Sequence, residues 1–234
     1  MREMDEQSAK SLPSGGEHYT AYVGPPSQYD FMGATQFALL CSLGLREHHK
    51  VLDFGCGSLR GGRLLIPYLN PGCYFGIEPN AWLIEDAIER QLGQDIIKIK
   101  RPHFSHSSAF VTDVFGERFD FIIAQSIFSH SGPEMTARAL RSLAVSLAPG
   151  GLCAVTFIEG DSDTPEGWHY PGVVKYRRDK ICELLSGNGV AGIPVPWFHP
   201  RQQWWVLAMN ESDLPSPADT EMLRGFRPID GKSK

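Results

Sequence analysis

The chain has 234 residues, 42% hydrophobic and 21% charged, with a formal net charge of −5. That is enough apolar material for one globular domain with a sizeable core, and the acidic balance argues against a general nucleic-acid binder. The opening "MREMDEQSAK" has no apolar signal region, and no apolar run reaches the ~18 residues that span a bilayer. Five cysteines at 41, 56, 73, 153 and 182 form no CxxC pair. This is the pattern of reduced thiols, and it leads to the expectation of a cytoplasmic protein.

Residues 1–28 are rich in Ser, Gly, Pro and charge. They are expected to form a flexible arm, or a lid if Tyr19, Tyr22 and Tyr29 find an apolar partner. A helix is expected over 34–46, followed by the strand "KVLDF" (50–54), which glycine ends. Helical spacing follows in "LRGGRLLIPYL", then the strand "CYFGIE" (73–78), with Asn80 placed to cap the helix "AWLIEDAIERQL". The third strand is either "DIIKI" (95–99) or "HFSHSS" (103–108); the second gives the shorter connection onward.

"FDFIIAQ" (119–125) is a buried strand, and Gly132-Pro133 opens the next helix. "SLAPGG" should end that helix in a turn before the strand "LCAVTFIE" (152–159). A helix near 177–187 and two closing strands near 190–195 and 203–209 complete the domain, taken as 29–210; residues 211–234 are expected to be a flexible tail. Alternating strands and helices with continuously apolar strands imply a parallel sheet covered on both faces. Ligands of such sheets bind at the carboxyl ends of the strands.

That rule directs attention to "VLDFGCGSLRGG" (51–62). It lacks the GxxxxGK[ST] pattern of a phosphate-cradling loop, and Arg60 occupies the third glycine position of GxGxxG. Glu78 ends the next strand, 21 residues after Gly57, where a carboxylate can accept hydrogen bonds from a ribose diol. Both NAD and S-adenosylmethionine carry that diol. Only the second lacks a pyrophosphate and brings an ammonium group and a sulfonium, which Asp53 suits. His103 and His106 would face opposite sides of a strand, so no metal pair is expected.

"VLDFGCG", "YFGIEP", "FDFIIAQSIFSH" and "LAPGGLCAVTF" occur in an order and spacing that resembles the successive motifs of class I S-adenosylmethionine-dependent methyltransferases. The resemblance covers about residues 33–209. It implies an α/β, Rossmann-like, seven-stranded, mostly parallel sheet with helices on both faces and the last strand antiparallel. It also implies S-adenosyl-L-methionine as cofactor. The family loop often reads GxGxG, and here Leu59 stands at its third glycine position.

Carried over from the resemblance, Asp53, Gly55, Cys56 and Gly57 surround the methionine end, and Glu78, Pro79 and Asn80 the ribose and adenosine. Ser107 and Ser108 lie where adenine is met, and Gln125 and Ser126 beside the sulfur and carboxylate. Met32 and Gly33 precede the first helix and would close over the cofactor. For the chemistry, His130 and His169 are the candidate catalytic residues. His130 lies just past the fourth strand and is read as a general base or acceptor contact, the alternative being a loop-packing role. Trp168, Tyr170 and His199 are candidate acceptor-binding residues, with ordinary surface-loop or turn roles as their alternatives.

The expected activity is methyl transfer to an oxygen or nitrogen of a small-molecule acceptor, by a monomer or homodimer without nucleic-acid or membrane partners. The "AQSI" sequence after the fourth strand differs from the Asn/Asp-Pro-Pro-aromatic pattern of base-amine methylation. The rival readings are an NAD-dependent oxidoreductase and a non-catalytic protein that binds the cofactor to stabilise a partner complex.

Overall fold

The computed structural model describes residues 4–161 and 164–225. Seven strands form one sheet: β1 (Val51–Phe54), β2 (Tyr74–Ile77), β3 (His103–Ser105), β4 (Phe119–Ala124), β5 (Leu147–Phe157), β6 (Ala191–Val195) and β7 (Gln203–Ala208). Their order is β3-β2-β1-β4-β5-β7-β6. β7 runs antiparallel to both β5 and β6, and the other pairings are parallel. The last strand therefore turns back and inserts between its neighbours as half of a hairpin.

The helices are α1 (Glu6–Ala9), α2 (Tyr19–Tyr22), α3 (Tyr29–Ser42), α4 (Gly62–Tyr68), α5 (Ala81–Ala87), α6 (Gln94–Lys100), α7 (Pro133–Ser146), α8 (Arg178–Gly187) and α9 (Pro217–Met222). Strand residues alternate between two cores, one on each face of the sheet. Val51, Ile123 and Trp204 join Leu39 of α3 and Leu65 of α4 on one face. Leu52, Ile122 and Trp205 join Leu140 of α7 and Ile181 of α8 on the other. Trp204 and Trp205 are both fully buried because each has a helix-covered face to enter. Among the described residues no helix is long and apolar enough to cross a membrane.

The third strand is the short His103–Ser105, within the preferred reading of 103–108, since "DIIKI" lies in α6, which Gly93 (φ +80°) precedes and Arg101 (φ +49°) ends. Other local expectations change. The helix after Asn80 continues beyond Ala87 as a π turn, Ile88–Leu92. Asn80 occupies the N-cap position without a capping side-chain bond, because its amide is committed to Glu78. "LAPGG" is the irregular start of β5, with a register shift opposite Phe119–Phe121, rather than a free turn.

The segment expected as an arm or lid is docked around residues 18–21, which are buried. Tyr19 is fully buried; its ring meets Tyr29 edge-on at 5.9 Å, and its hydroxyl accepts from Gln91 at 2.8 Å. Tyrosines give this polar-looking stretch the apolar area it needs to dock. Residues 211–225 are likewise structured: Ser216 caps α9, and Leu223 enters the core. Residues 226–234 of the expected tail lie outside the described residues.

Candidate active site

The carboxyl ends of β1, β2 and β4 open into a cavity of about 670 Å³. At its centre Glu78, only 7% exposed, closes β2 onto the glycine loop. Its Oε2 accepts from the Gly57 N–H at 3.1 Å, and its Oε1 from the Asn80 backbone N–H at 2.9 Å and side-chain amide at 2.8 Å. Burial raises the Glu78 pKa, and these bonds oppose the shift. A carboxylate offers about four lone-pair positions. Three are occupied, so one is free for a ligand hydroxyl, and a second follows if the Asn80 amide turns away.

The loop is shaped by close approaches. Gly55 has φ +77°, and a Cβ there would collide with Ile127 Cδ1. Gly57 has φ +52°, and a Cβ there would lie 2.6 Å from Val23 Cγ1. Leu59 keeps the left-handed conformation of the glycine it replaces, at φ +54°, with its side chain fully buried. Non-glycine residues seldom adopt that region. Cys56 is buried, and burial next to Asp53 and Glu78 pushes its thiol pKa well up, which leaves it an inert small residue.

Asp53, 6% exposed, accepts from the Tyr74 hydroxyl at 2.9 Å; desolvation raises its pKa to about 7. Arg60, 8% exposed, donates to the Val23 carbonyl at 2.7 Å, and burial lowers its pKa to about 10. Arg201, on the β6–β7 connection, also lines the cavity and donates to Gln28 at 2.9 Å. Neither guanidinium lies within ion-pair distance of a carboxylate among the described residues. Buried Arg60 Nε and Gln36 Oε1 lack hydrogen-bond partners, and both residues line the cavity.

At the other end, His130 Nδ1 donates to the Gly172 carbonyl at 2.6 Å, which leaves the lone pair on Nε2. Burial lowers its pKa, so the ring is neutral at neutral pH. Trp168 and Tyr170 pack around it, with ring centroids at 5.8 and 5.1 Å from the imidazole.

Of the residues singled out in the sequence, Asp53, Gly55, Cys56, Gly57, Glu78, Pro79, Asn80, Ser107, Ser108, Gln125, Ser126, His130, Trp168 and Tyr170 line this one cavity. Four do not. Met32 is buried in α3, and Gly33 is where α3 touches the loop, since a Cβ there would strike the Arg60 carbonyl. His169 turns its Nε2 to the Glu166 carbonyl at 2.8 Å, and its backbone N–H holds the His130 carbonyl at 2.8 Å. His169 is therefore corrected from a catalytic candidate to a loop brace.

His199, expected at the acceptor, lies behind the wall. Its Nδ1 accepts from the Arg201 and Gln202 N–H groups at 3.1 and 3.0 Å, and its Nε2 is 3.3 Å from the Gln125 amide. Burial and two arginines lower its pKa to about 3. The ring stays neutral, and Nε2–H donates to the Gln125 amide oxygen once that amide is turned.

Sequence reasoning missed Arg60, Gln36, Arg201 and Val23, while Tyr22, expected in a lid, does line the cavity. Arg60 had a signal: a long cation in the third glycine position of the loop. The others come from distant segments that only the fold assembles.

Residues 52–153 match a family model described as a methyltransferase domain. Over that stretch the chain is similar to methyltransferase domains. Solved structures share its fold at low identity. One is a magnesium protoporphyrin IX methyltransferase from Synechocystis PCC 6803 with S-adenosylhomocysteine bound (14% identity, TM-score 0.57, 78% of this chain and 83% of that one). Another is an amino pentose methyltransferase from Micromonospora echinaspora with S-adenosylmethionine bound (14%, TM-score 0.56, 78% and 92%). A third is a glycopeptide N-methyltransferase complexed with S-adenosylhomocysteine (13%, TM-score 0.57, 76% and 90%).

The N-terminal segment bridges the cavity mouth. The Tyr170 hydroxyl donates to the Tyr22 carbonyl, and Tyr22 also packs on Trp82 at 5.4 Å. Tyr170→Phe should free that end by ~1 kcal/mol, raising amide hydrogen exchange in residues 14–24 about fivefold. Unchanged exchange there would show that the latch does not hold the segment.

Proposed function

We propose that the protein transfers a methyl group from S-adenosyl-L-methionine to an oxygen or nitrogen of a small-molecule acceptor. The observation that carries this reading is Glu78. It is a pinned, buried carboxylate with a lone pair to spare, at a strand end beside a bare-backbone loop, in a cavity that runs on to a neutral histidine.

The residues present fit the cofactor. Glu78 would hold the ribose diol, and Ser107 and Ser108 would lie at the base. Arg60, with its unpartnered Nε, would take the amino acid's carboxylate, and Asp53 and the unpartnered Gln36 Oε1 its ammonium group. When bound, the cofactor supplies a methyl group activated by a neighbouring sulfonium.

The chain's own contribution is mainly positioning, which for well-oriented reactants is worth roughly 7–11 kcal/mol. Gln125 and Ser126 fix the end of β4. Ser126 (φ +60°) has its N–H on Thr156 Oγ1 at 2.8 Å, and its hydroxyl accepts from Gln202 at 2.8 Å. His130 Nε2 can take a proton from an acceptor hydroxyl or ammonium, a role worth about 10²–10⁴-fold. The lid segment excludes water from the glycine loop. The acidic net charge supports a small-molecule acceptor over a nucleic acid.

Glu78→Ala should weaken S-adenosylmethionine binding by about 1–3 kcal/mol in calorimetry, the scale of lost charge-assisted hydrogen bonds. Unchanged affinity would remove Glu78 from the ribose. His130→Ala should lower kcat by about 10²-fold or more without a matching loss of cofactor affinity. In the wild type the acid limb of the pH profile should lie below 6.5, because burial favours the neutral ring. An acid limb above that value, or full activity in the variant across pH, would retire the base.

A further inference from the structure

The cavity is divided by charge. Its four ionic side chains, Asp53, Arg60, Glu78 and Arg201, belong to β1, the loop after it, the end of β2 and the β6–β7 connection. The connections after β3, β4 and β5 add no ionic side chain: beyond the uncharged Ser107, Ser108, Gln125 and Ser126 already assigned to the cofactor, they present Phe110, Met135, Ile158, Trp168, Tyr170 and Val173, with His130 as the proton acceptor. The Tyr170 hydroxyl is already spent on Tyr22.

The rings are arranged as walls. Trp168 and Tyr170 lie 25° from parallel with centroids 6.4 Å apart, and Phe110 meets Trp168 edge-on at 6.0 Å. Trp168 remains 49% exposed and Val173 54% exposed, so apolar surface is left uncovered at this end.

Resting on the methyl-transfer reading above, we propose that the acceptor is an uncharged aromatic ring bearing a phenolic hydroxyl, its ring against Trp168 and its hydroxyl at His130. An ammonium or carboxylate substituent set against Phe110, Trp168 and Val173 would lose its water to side chains that cannot pair with it. Cation–π contact offsets only part of that cost for an ammonium, at ~0.5–2 kcal/mol. A sugar would leave several hydroxyls against apolar walls.

The acid–base match points the same way. A phenol, near ~10 as in tyrosine, can pass its proton to an imidazole whose basicity burial has reduced. An alcohol with an acidity near that of water, ~15.7, gives up its proton far less readily. In the transfer, the phenolic oxygen forms the O–CH3 bond as the C–S bond breaks. The C–S electron pair stays on sulfur as a neutral thioether, and the phenolic proton goes to His130 Nε2.

The test uses three molecules that share one ring and one hydroxyl: 4-ethylphenol (neutral), tyramine (cationic) and 4-hydroxyphenylacetate (anionic). Each is titrated into the full chain loaded with S-adenosylhomocysteine, and each is assayed for S-adenosylhomocysteine release from S-adenosylmethionine. The expected result is that 4-ethylphenol binds the loaded protein and turns over with kcat/KM at least about tenfold above the charged pair. Trp168→Ala should raise its Kd and KM about tenfold, and Trp168→Phe should restore most of the loss.

Equal or better use of either charged analogue overturns the proposal. So does a lack of 4-ethylphenol binding or turnover by protein that does bind the cofactor, or an unchanged Kd in Trp168→Ala. If neither S-adenosylmethionine nor S-adenosylhomocysteine binds, the methyl-transfer reading itself fails, and this proposal with it.

Discussion

One carboxylate knits three strand ends together. Glu78 takes the Gly57 N–H from the loop after β1 and both Asn80 donors from the start of α5. Its own backbone N–H donates to Ser105 of β3 at 3.0 Å, and its carbonyl receives His106 at 2.8 Å. Burying an acid costs free energy unless donors converge on it, and here three do. The same donors that make the acid tolerable set the spacing of the loop and leave a lone pair facing the cavity. The loop geometry and the binding chemistry are therefore one constraint. Two charged neighbours share this buried setting: desolvation raises the Asp53 pKa to about 7 and lowers that of Arg60 to about 10.

The opposite end obeys a different rule. There rings form much of the wall, and the titratable group is one imidazole whose tautomer the Gly172 carbonyl sets. A positively charged, amino acid-bearing nucleoside suits the first end, and an apolar partner suits the second. The N-terminal segment joins them. Arg60 holds the Val23 carbonyl at the ionic end, and Tyr170 holds the Tyr22 carbonyl at the aromatic end. Closing the segment thus requires groups from both halves of the site.

What could be read from the sequence was whatever rests on local pattern. β1, β2 and β4 are continuous apolar runs ended by turn residues, and adjacent tryptophans at 204 and 205 had to enter opposite faces of a strand. The loop's glycines and the acid ending β2 were legible because each is dictated by its own backbone position. Contacts across the fold were not. Tyr19, in a polar-looking stretch, docks on Tyr29 and Gln91. His199 resembled a substrate contact in its "WFHPRQ" setting, but its ring braces Gln125 from behind. His169 faced the wrong way because its ring meets the Glu166 carbonyl within its own loop. Residue type alone cannot distinguish a histidine at a cavity from one that holds up its wall.

We propose that the acid-lined crevice seats a cationic nucleoside carrying no phosphate. Calorimetric titration with S-adenosylmethionine and with NAD, run between about pH 6 and pH 7, below the range where the cofactor's own amine titrates, decides the matter. Asp53 holds a proton in the lower part of that window, and a bound cation favours its ionised form. The predicted result is S-adenosylmethionine binding with proton release, its affinity rising with pH across the window, and no heat from NAD. Heat from NAD with none from S-adenosylmethionine would contradict the claim.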